Sequence, residues 1–263
     1  MDEKKKVLLT GGIIVCVTVV AVIAYFLFFR PKGEVPASTA GLSQPVEAKP
    51  EIEAPVQSET EDLATLSIDL ENSDETVRER ALGLSANEIF ARWIKTEGII
   101  TKFTAAVDNV ANGMSPRSHI DFFKPDEKFK TYVENEVFYI SPESYDRYNP
   151  VAAVVSSLDA EGCAKLFRQL KPAFQEAYAD LGYPEADFQK TLEKAFVELL
   201  EVPVLEYDMP VEKKIQTFAF VNGELERLSD AQKHFLRMGP QNVRKIRDKI
   251  REIGKALGMN LIR

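Results

Sequence analysis

FKTYVENEVFYI, residues 129–140, is the stretch on which the fold class turns. Elsewhere apolar residues recur at spacings of three and four, but here they alternate: Phe129, Thr131 and Val133, then Val137 and Tyr139, around Glu134-Asn135-Glu136. A period of two with polar residues at the bend predicts a short β-hairpin. Set among helical segments, it makes the soluble part α+β and helix-dominated, with one or two short hairpins.

Helical periodicity flanks it on both sides. Upstream, Ser73 before Asp74 and Glu75 predicts an N-cap for a helix through about Leu84, and Ser85-Ala86-Asn87-Glu88 has capping-box spacing ahead of Ile89, Phe90 and Trp93. A third helix from about Thr96 carries Ile99, Ile100, Phe103, Val107 and Val110 until Asn112-Gly113 stops it.

Downstream, Pro150 opens a helix and Asp159 caps a long one. In the latter Cys163, Leu166, Phe167, Leu170, Phe174, Tyr178 and Leu181 line one side, Gly182 and Pro184 mark the end, and Pro172 predicts a kink or break. Phe188, Leu192, Phe196 and Leu199 give the next helix, ended before Pro203. A second β pair is expected at about residues 204–209 and 215–221, with its turn at Asn222-Gly223. Two helices close the chain: Leu225, Leu228 and Phe235 line the first, Gly239-Pro240 breaks it, and Val243, Ile246, Ile250, Ile253 and Leu257 form an apolar stripe on the second.

The amino-terminal portion has a different character. Residues 7–29 are an unbroken apolar and small-residue run, preceded by Lys4, Lys5 and Lys6 and closed by Arg30. A helix of that length rises about 35 Å, enough to cross a hydrocarbon layer of about 30 Å, and it is longer than the core of a cleaved signal peptide. The reading is a cytoplasmic tail at residues 1–6, a single membrane anchor at 7–29, a tether at 30–62 and an exported globular domain at 63–263. Three lysines ahead of the run set the orientation, and in a bacterium the domain then lies in the periplasm, on the inner membrane. The tether has Pro31, Pro36, Pro45, Pro50 and Pro55 among Ala, Ser, Thr and Glu, a composition that stays extended and disordered.

The formal net charge of −8 is unevenly spread: +2 over residues 1–30, −5 over residues 31–62 and −5 over the remainder. An acidic body argues against nucleic acid as a partner. Cys16 in the anchor and Cys163 in the domain cannot bridge within one chain, so the fold rests on its apolar core.

Three segments together resemble the bacterial "domain of unknown function 3014" family. They are Ser144-Tyr145-Asp146-Arg147-Tyr148, then Phe174-Gln175-Glu176-Ala177-Tyr178 with Leu181-Gly182-Tyr183-Pro184, and most specifically Gln232-Lys233-His234-Phe235-Leu236-Arg237-Met238-Gly239-Pro240-Gln241-Asn242. The likeness spans about residue 65 to the end, and implies a single-anchor envelope protein without supplying an activity.

No catalytic arrangement stands out. His119 and His234 lack a second His or Cys at helical spacing, so no metal site or cofactor is expected. Cys163 sits among core residues, and neither a nucleophile elbow nor a phosphate loop occurs. Glu134, Glu136, Glu143 and Asp146 supply carboxylates for a hydrolase alternative, with nothing to say which two face each other.

The binding candidates are Tyr145, Arg147, Tyr148, Lys233, Arg237 and Asn242. Ser141-Pro142 and Asn149-Pro150 bracket the first three in an expected loop, where Arg147 and the tyrosines either tie the hairpin to the helices or line a groove. Lys233, Arg237 and Asn242, around the Gly239-Pro240 break, form either a polar knot, with Asn242 capping the last helix, or donors aimed at an anionic ligand. The last helix adds a basic face of Arg244, Lys245, Arg247, Lys249, Arg251 and Lys255, read as an ordinary solvated face or as a surface for anionic lipid or an acidic partner. The expected role is binding or scaffolding in the envelope, with another envelope protein or cell-wall material as partner. A hydrolase or a small-ligand sensor is the alternative.

Overall fold

The computed structural model describes residues 69–120, 124–125 and 127–261. The anchor and tether expected at residues 7–62 lie outside the described residues, and among those described no helix is long and apolar enough to cross a membrane. The described chain is helix-dominated α+β around one four-stranded antiparallel sheet, in the order β1-β2-β3-β4.

Three helices come first: α1 (Ser73–Ala81), α2 (Glu88–Trp93) and α3 (Ile99–Ala111). Ser73 is the first residue of α1 rather than its cap. Its hydroxyl is turned back to the Leu70 carbonyl at 2.9 Å, because a 3₁₀ turn at Leu70–Asn72, capped by Asp69, precedes the helix. A second 3₁₀ turn, Leu82–Leu84, ends it early. Asn87, not Ser85, caps α2, its side chain accepting from the Ile89 N–H at 2.8 Å while Ser85 Oγ accepts from Asn87 N–H. The start of α3 is capped from a distance. Gly98 has φ +65°, and the two Asp74 oxygens in α1 accept the Gly98 and Ile99 amides, which have no partner within the helix, at 2.7 and 2.9 Å.

The hairpin lies where the alternation predicts it, β1 (Thr131–Glu134) against β2 (Val137–Ile140). Asn135 and Glu136 both take positive φ, 48° and 65°, which matches the right-handed twist of the strands. The next four elements are α4 (Pro142–Asp146), α5 (Asn149–Ser157), α6 (Ala160–Asp180) and α7 (Phe188–Leu200). The segment expected to be a loop at Tyr145 is thus a helical turn, opened by Pro142. Helix α6 runs unbroken through Pro172. The proline faces solvent, so the Arg168 carbonyl that loses its intrahelical partner is on the wet side and open to water.

The second β pair is displaced from its expected position. The strands are β3 (Pro210–Lys213) and β4 (Phe218–Phe220), closed by a turn in which Lys214 N–H donates to Thr217 O at 2.8 Å. Asn222 does not form that turn; its side chain caps α8 (Gly223–Glu226). Strand β3 also pairs with β2, Phe138 opposite Val211 and Tyr139 opposite Pro210, so the two hairpins form one sheet. The helix expected through Leu225 and Phe235 is two: Ser229 stops α8 and opens α9 (Asp230–Leu236) with a full capping box to Gln232. The last helix, α10, spans Pro240–Ala256.

Two apolar clusters result. In one, Ile100 and Val107 of α3 meet Leu170, Phe174 and Tyr178 of α6 and Phe188 and Leu192 of α7. In the other, Ile140, Val211 and Phe220 of the sheet are covered by Ala152 of α5, Phe235 and Leu236 of α9, and Val243, Ile246 and Ile250 of α10. The predicted stripe on α10 is buried at Val243, Ile246, Ile250 and Leu257, and the helix packs on α5, α6 and α7.

Candidate functional site

The site begins with a serine that has no freedom to do anything else. Ser144 is fully buried, and its hydroxyl both receives Lys130 N–H and donates to Lys130 O, each at 2.7 Å, clamping α4 to the residues that enter β1. This fixes the side chains on either side of it. Tyr145 packs its ring against Gly239, and its carbonyl accepts from Asn242 Nδ2 at 3.0 Å. Asn242 also donates to Met238 O at 2.9 Å and lies buried inside α10, so it is a tie between two elements and not the expected helix cap. Burial pushes the Tyr145 hydroxyl well above the ordinary phenol range. Tyr145, Gly239 and Asn242 therefore form a filled junction.

One turn further on, the character changes. Arg147 donates from Nε to Ser144 O at 2.9 Å and from Nη1 to Glu127 O at 3.2 Å, with its guanidinium over the rings of Tyr148 at 4.9 Å and Phe129 at 5.5 Å. The Tyr148 ring is buried, but its hydroxyl meets two groups: Arg117 Nη2 donates to it at 3.4 Å, and His234 Nε2 lies 3.5 Å away. From α9, Arg237 donates to Phe218 O at 2.9 Å with its guanidinium 4.6 Å above the Phe220 ring. Arg117 Nε donates to His234 Nε2 at 3.3 Å, and Ser115 Oγ lies 3.1 Å from the opposite ring nitrogen.

Two of the candidate segments thus converge, and three guanidiniums surround one imidazole and one phenol. Burial first, then the charges of Arg117, Arg237 and Arg147, push His234 down to about 3, so it is neutral at physiological pH. Burial also lowers Arg147 and Arg237, and Arg117 pushes both the same way; Tyr148 opposes this at Arg147 and Glu226 at Arg237. Among the described residues none of the three arginines forms an ion pair.

Lys233 does not join them. Its ammonium lies 3.4 Å from both Glu226 and Asp230. Arg117, Ser115 and His234 are the members that pattern reading does not select. Arg117 and His234 are 117 positions apart, and no spacing rule connects them. The basic face of α10 is largely committed to its own domain. Arg244 pairs with Glu206, Arg251 with Asp248, and Arg247 Nη1 donates to Val202 O at 2.8 Å.

The carboxylates of the hydrolase alternative are scattered. Glu134 and Glu136 are exposed at the hairpin tip, Glu143 lies beside Lys130 at 3.5 Å, and Asp146 accepts from Asn149 at 3.1 Å. Among the described residues no group of three or more His, Cys, Asp or Glu is placed to hold a metal.

Fold and site together define a helix-dominated α+β domain that presents a compact arginine cluster, with a neutral histidine and a tyrosine hydroxyl as its polar centre. The chain belongs to the family described as "Protein of unknown function (DUF3014)", whose model matches residues 99–254. That span runs from the first residue of α3 into α10 and contains every member of the cluster. No curated protein and no solved structure matches the chain.

Proposed function

We propose that this protein is a membrane-tethered binding or scaffolding module of the bacterial envelope, and that it engages its partner through the surface around Arg117, Arg147, Tyr148, His234 and Arg237. The observation that carries this is the convergence of three arginines without an acidic side chain in salt-bridge reach among the described residues. Planar donors left partly open at a surface with aromatic backing are typical of recognition sites. The same comparison turns the reading away from α10, where Arg244 and Arg251 carry acidic partners in Glu206 and Asp248. The apolar run at residues 7–29 supports the anchor, and the proline-rich stretch after it supports a domain held off the bilayer.

A photo-crosslinking residue placed at exposed Ser118, beside Arg117, tests the surface in the full chain. Crosslinked product that is retained in Arg244→Glu and lost in Arg117→Glu is the expected result. Equal recovery from both variants removes this surface from the proposal. A topology reporter fused after Arg263 tests location: activity outside the cytosol is expected, and activity only inside it overturns the envelope reading.

A further inference from the structure

Resting on that binding reading, the geometry points to a receptor for a phosphate group beside the Pro116–Ser118 turn, the start of α5 and α9, with Arg117, Arg147 and Arg237 as the cationic donors. Four observations lead there. First, each guanidinium carries more N–H donors than its bonds to protein use, because Arg147 and Arg237 are steered by backbone carbonyls and aromatic faces and not by carboxylates. Their positions are set by groups that carry no charge.

Second, among the described residues no carboxylate lies within salt-bridge distance of the three guanidiniums, and Glu127 acts on Arg147, and Glu226 and Asp230 on Arg237, only at longer range. Glu226 accepts from Phe220 N–H at 2.8 Å and, with Asp230, faces Lys233. Glu127 meets Arg147 through its carbonyl, and its side chain is exposed. Third, His234 acts as an acceptor that orients Arg117. Being uncharged, it holds that guanidinium without adding a fourth positive charge. Fourth, the Arg117 charge opposes those of both Arg147 and Arg237, a cost that a dianion offsets more fully than a single carboxylate does.

The test is calorimetric titration of the full chain in detergent with inorganic phosphate, with acetate as the singly charged comparison and soluble dihexanoyl phosphatidic acid as the lipid form of the same group. Saturable phosphate binding is expected, with weaker acetate binding and a loss of about tenfold in each of Arg117→Gln and Arg237→Gln but not in Arg244→Gln. Tighter binding of the phosphatidic acid assigns the phosphate to a lipid headgroup; equal binding assigns it to a free or sugar-borne group. No saturable phosphate binding, or acetate binding as tight as phosphate, overturns the inference. Where an arginine variant fails to fold, phenylglyoxal modification of the unaltered chain decides: phosphate must protect Arg117 and Arg237, and undiminished modification overturns it. Crosslinking from Ser118 that depends on Arg117 while phosphate fails to bind leaves the binding module standing and removes only this ligand class.

Discussion

Arg117 Nε donates to His234 Nε2 at 3.3 Å, joining a 3₁₀ turn before the sheet to the penultimate helix after it. An arginine N–H can only donate, so Nε2 is the bare nitrogen and the ring proton sits on Nδ1, toward Ser115 Oγ at 3.1 Å. Protonating Nε2 would place two donors face to face beside two further guanidiniums.

His234 therefore stays neutral far below the ordinary imidazole range. In a His119→Gln background, the remaining imidazole is expected to show no NMR titration between pH 5 and 8, in keeping with a value of about 3 against 6.5 for a free side chain. The folded value lies below the unfolded one, so the stability contributed by neutral His234 is full above about pH 6.5 and is lost as pH falls toward 3. Thermal midpoints measured across that window should fall more steeply in the parent than in His234→Gln. A midpoint near 6.5 in the NMR titration refutes the assignment.

Gly239 has φ +85°, and a Cβ there would come within 2.5 Å of Tyr145 Cγ and 2.6 Å of Tyr145 Cβ. Neither side can retreat, because the Tyr145 carbonyl is held by Asn242 and α4 by Ser144. Gly239→Ala is expected to cost about 2–4 kcal/mol of unfolding free energy in urea, from backbone strain plus overpacking. A cost near zero would mean that the α4–α10 junction is looser than described.

Arg147 uses a planar fork to reach two carbonyls while lying over two rings. A lysine ammonium can satisfy one carbonyl and cannot stack as a plane. Arg147→Lys should destabilise by about 1–2 kcal/mol in denaturant, although the charge is preserved. Unchanged stability would show that charge alone is what the position needs.

Cys163 is half-buried in α6, where burial first and Asp159 second push its thiol up to about 11 from 9.0. At pH 8 its thiolate population, and with it its rate toward iodoacetamide, should be lower than that of an unperturbed thiol by on the order of 100-fold. The measurement uses a Cys16→Ser chain so that one thiol is counted, and denaturant should restore the ordinary rate.

The periodic elements were legible because each is dictated by neighbours in sequence. Alternation around Glu134-Asn135-Glu136 located the first hairpin, and the stripe from Val243 to Leu257 located α10. Misreadings fall where a distant group or a local turn took over. Ser73 lost its capping role to a preceding turn, α3 took its cap from Asp74, and the exposed Pro172 broke nothing. The α8–α9 break was written in the Ser229–Gln232 spacing, a legible capping signal that the apolar pattern of Leu225, Leu228 and Phe235 masked. In the site, Arg147, Tyr148 and Arg237 stand out by residue type and by the proline-flanked segments that hold them. Arg117 and His234 acquire their roles only when the Pro116–Ser118 turn is folded against α9, which no local pattern encodes.

The β2–β3 pairing joins strands separated by residues 141–209, a stretch that contains α4 through α7. Closing so long a segment costs entropy that only the finished pairing returns, so high contact order makes this step slow compared with either hairpin. The central seam of the sheet is then the last part to zip. Until it does, the Phe138 and Val211 edges are open to pairing with another chain, which leaves a newly made molecule vulnerable to aggregation until the seam closes.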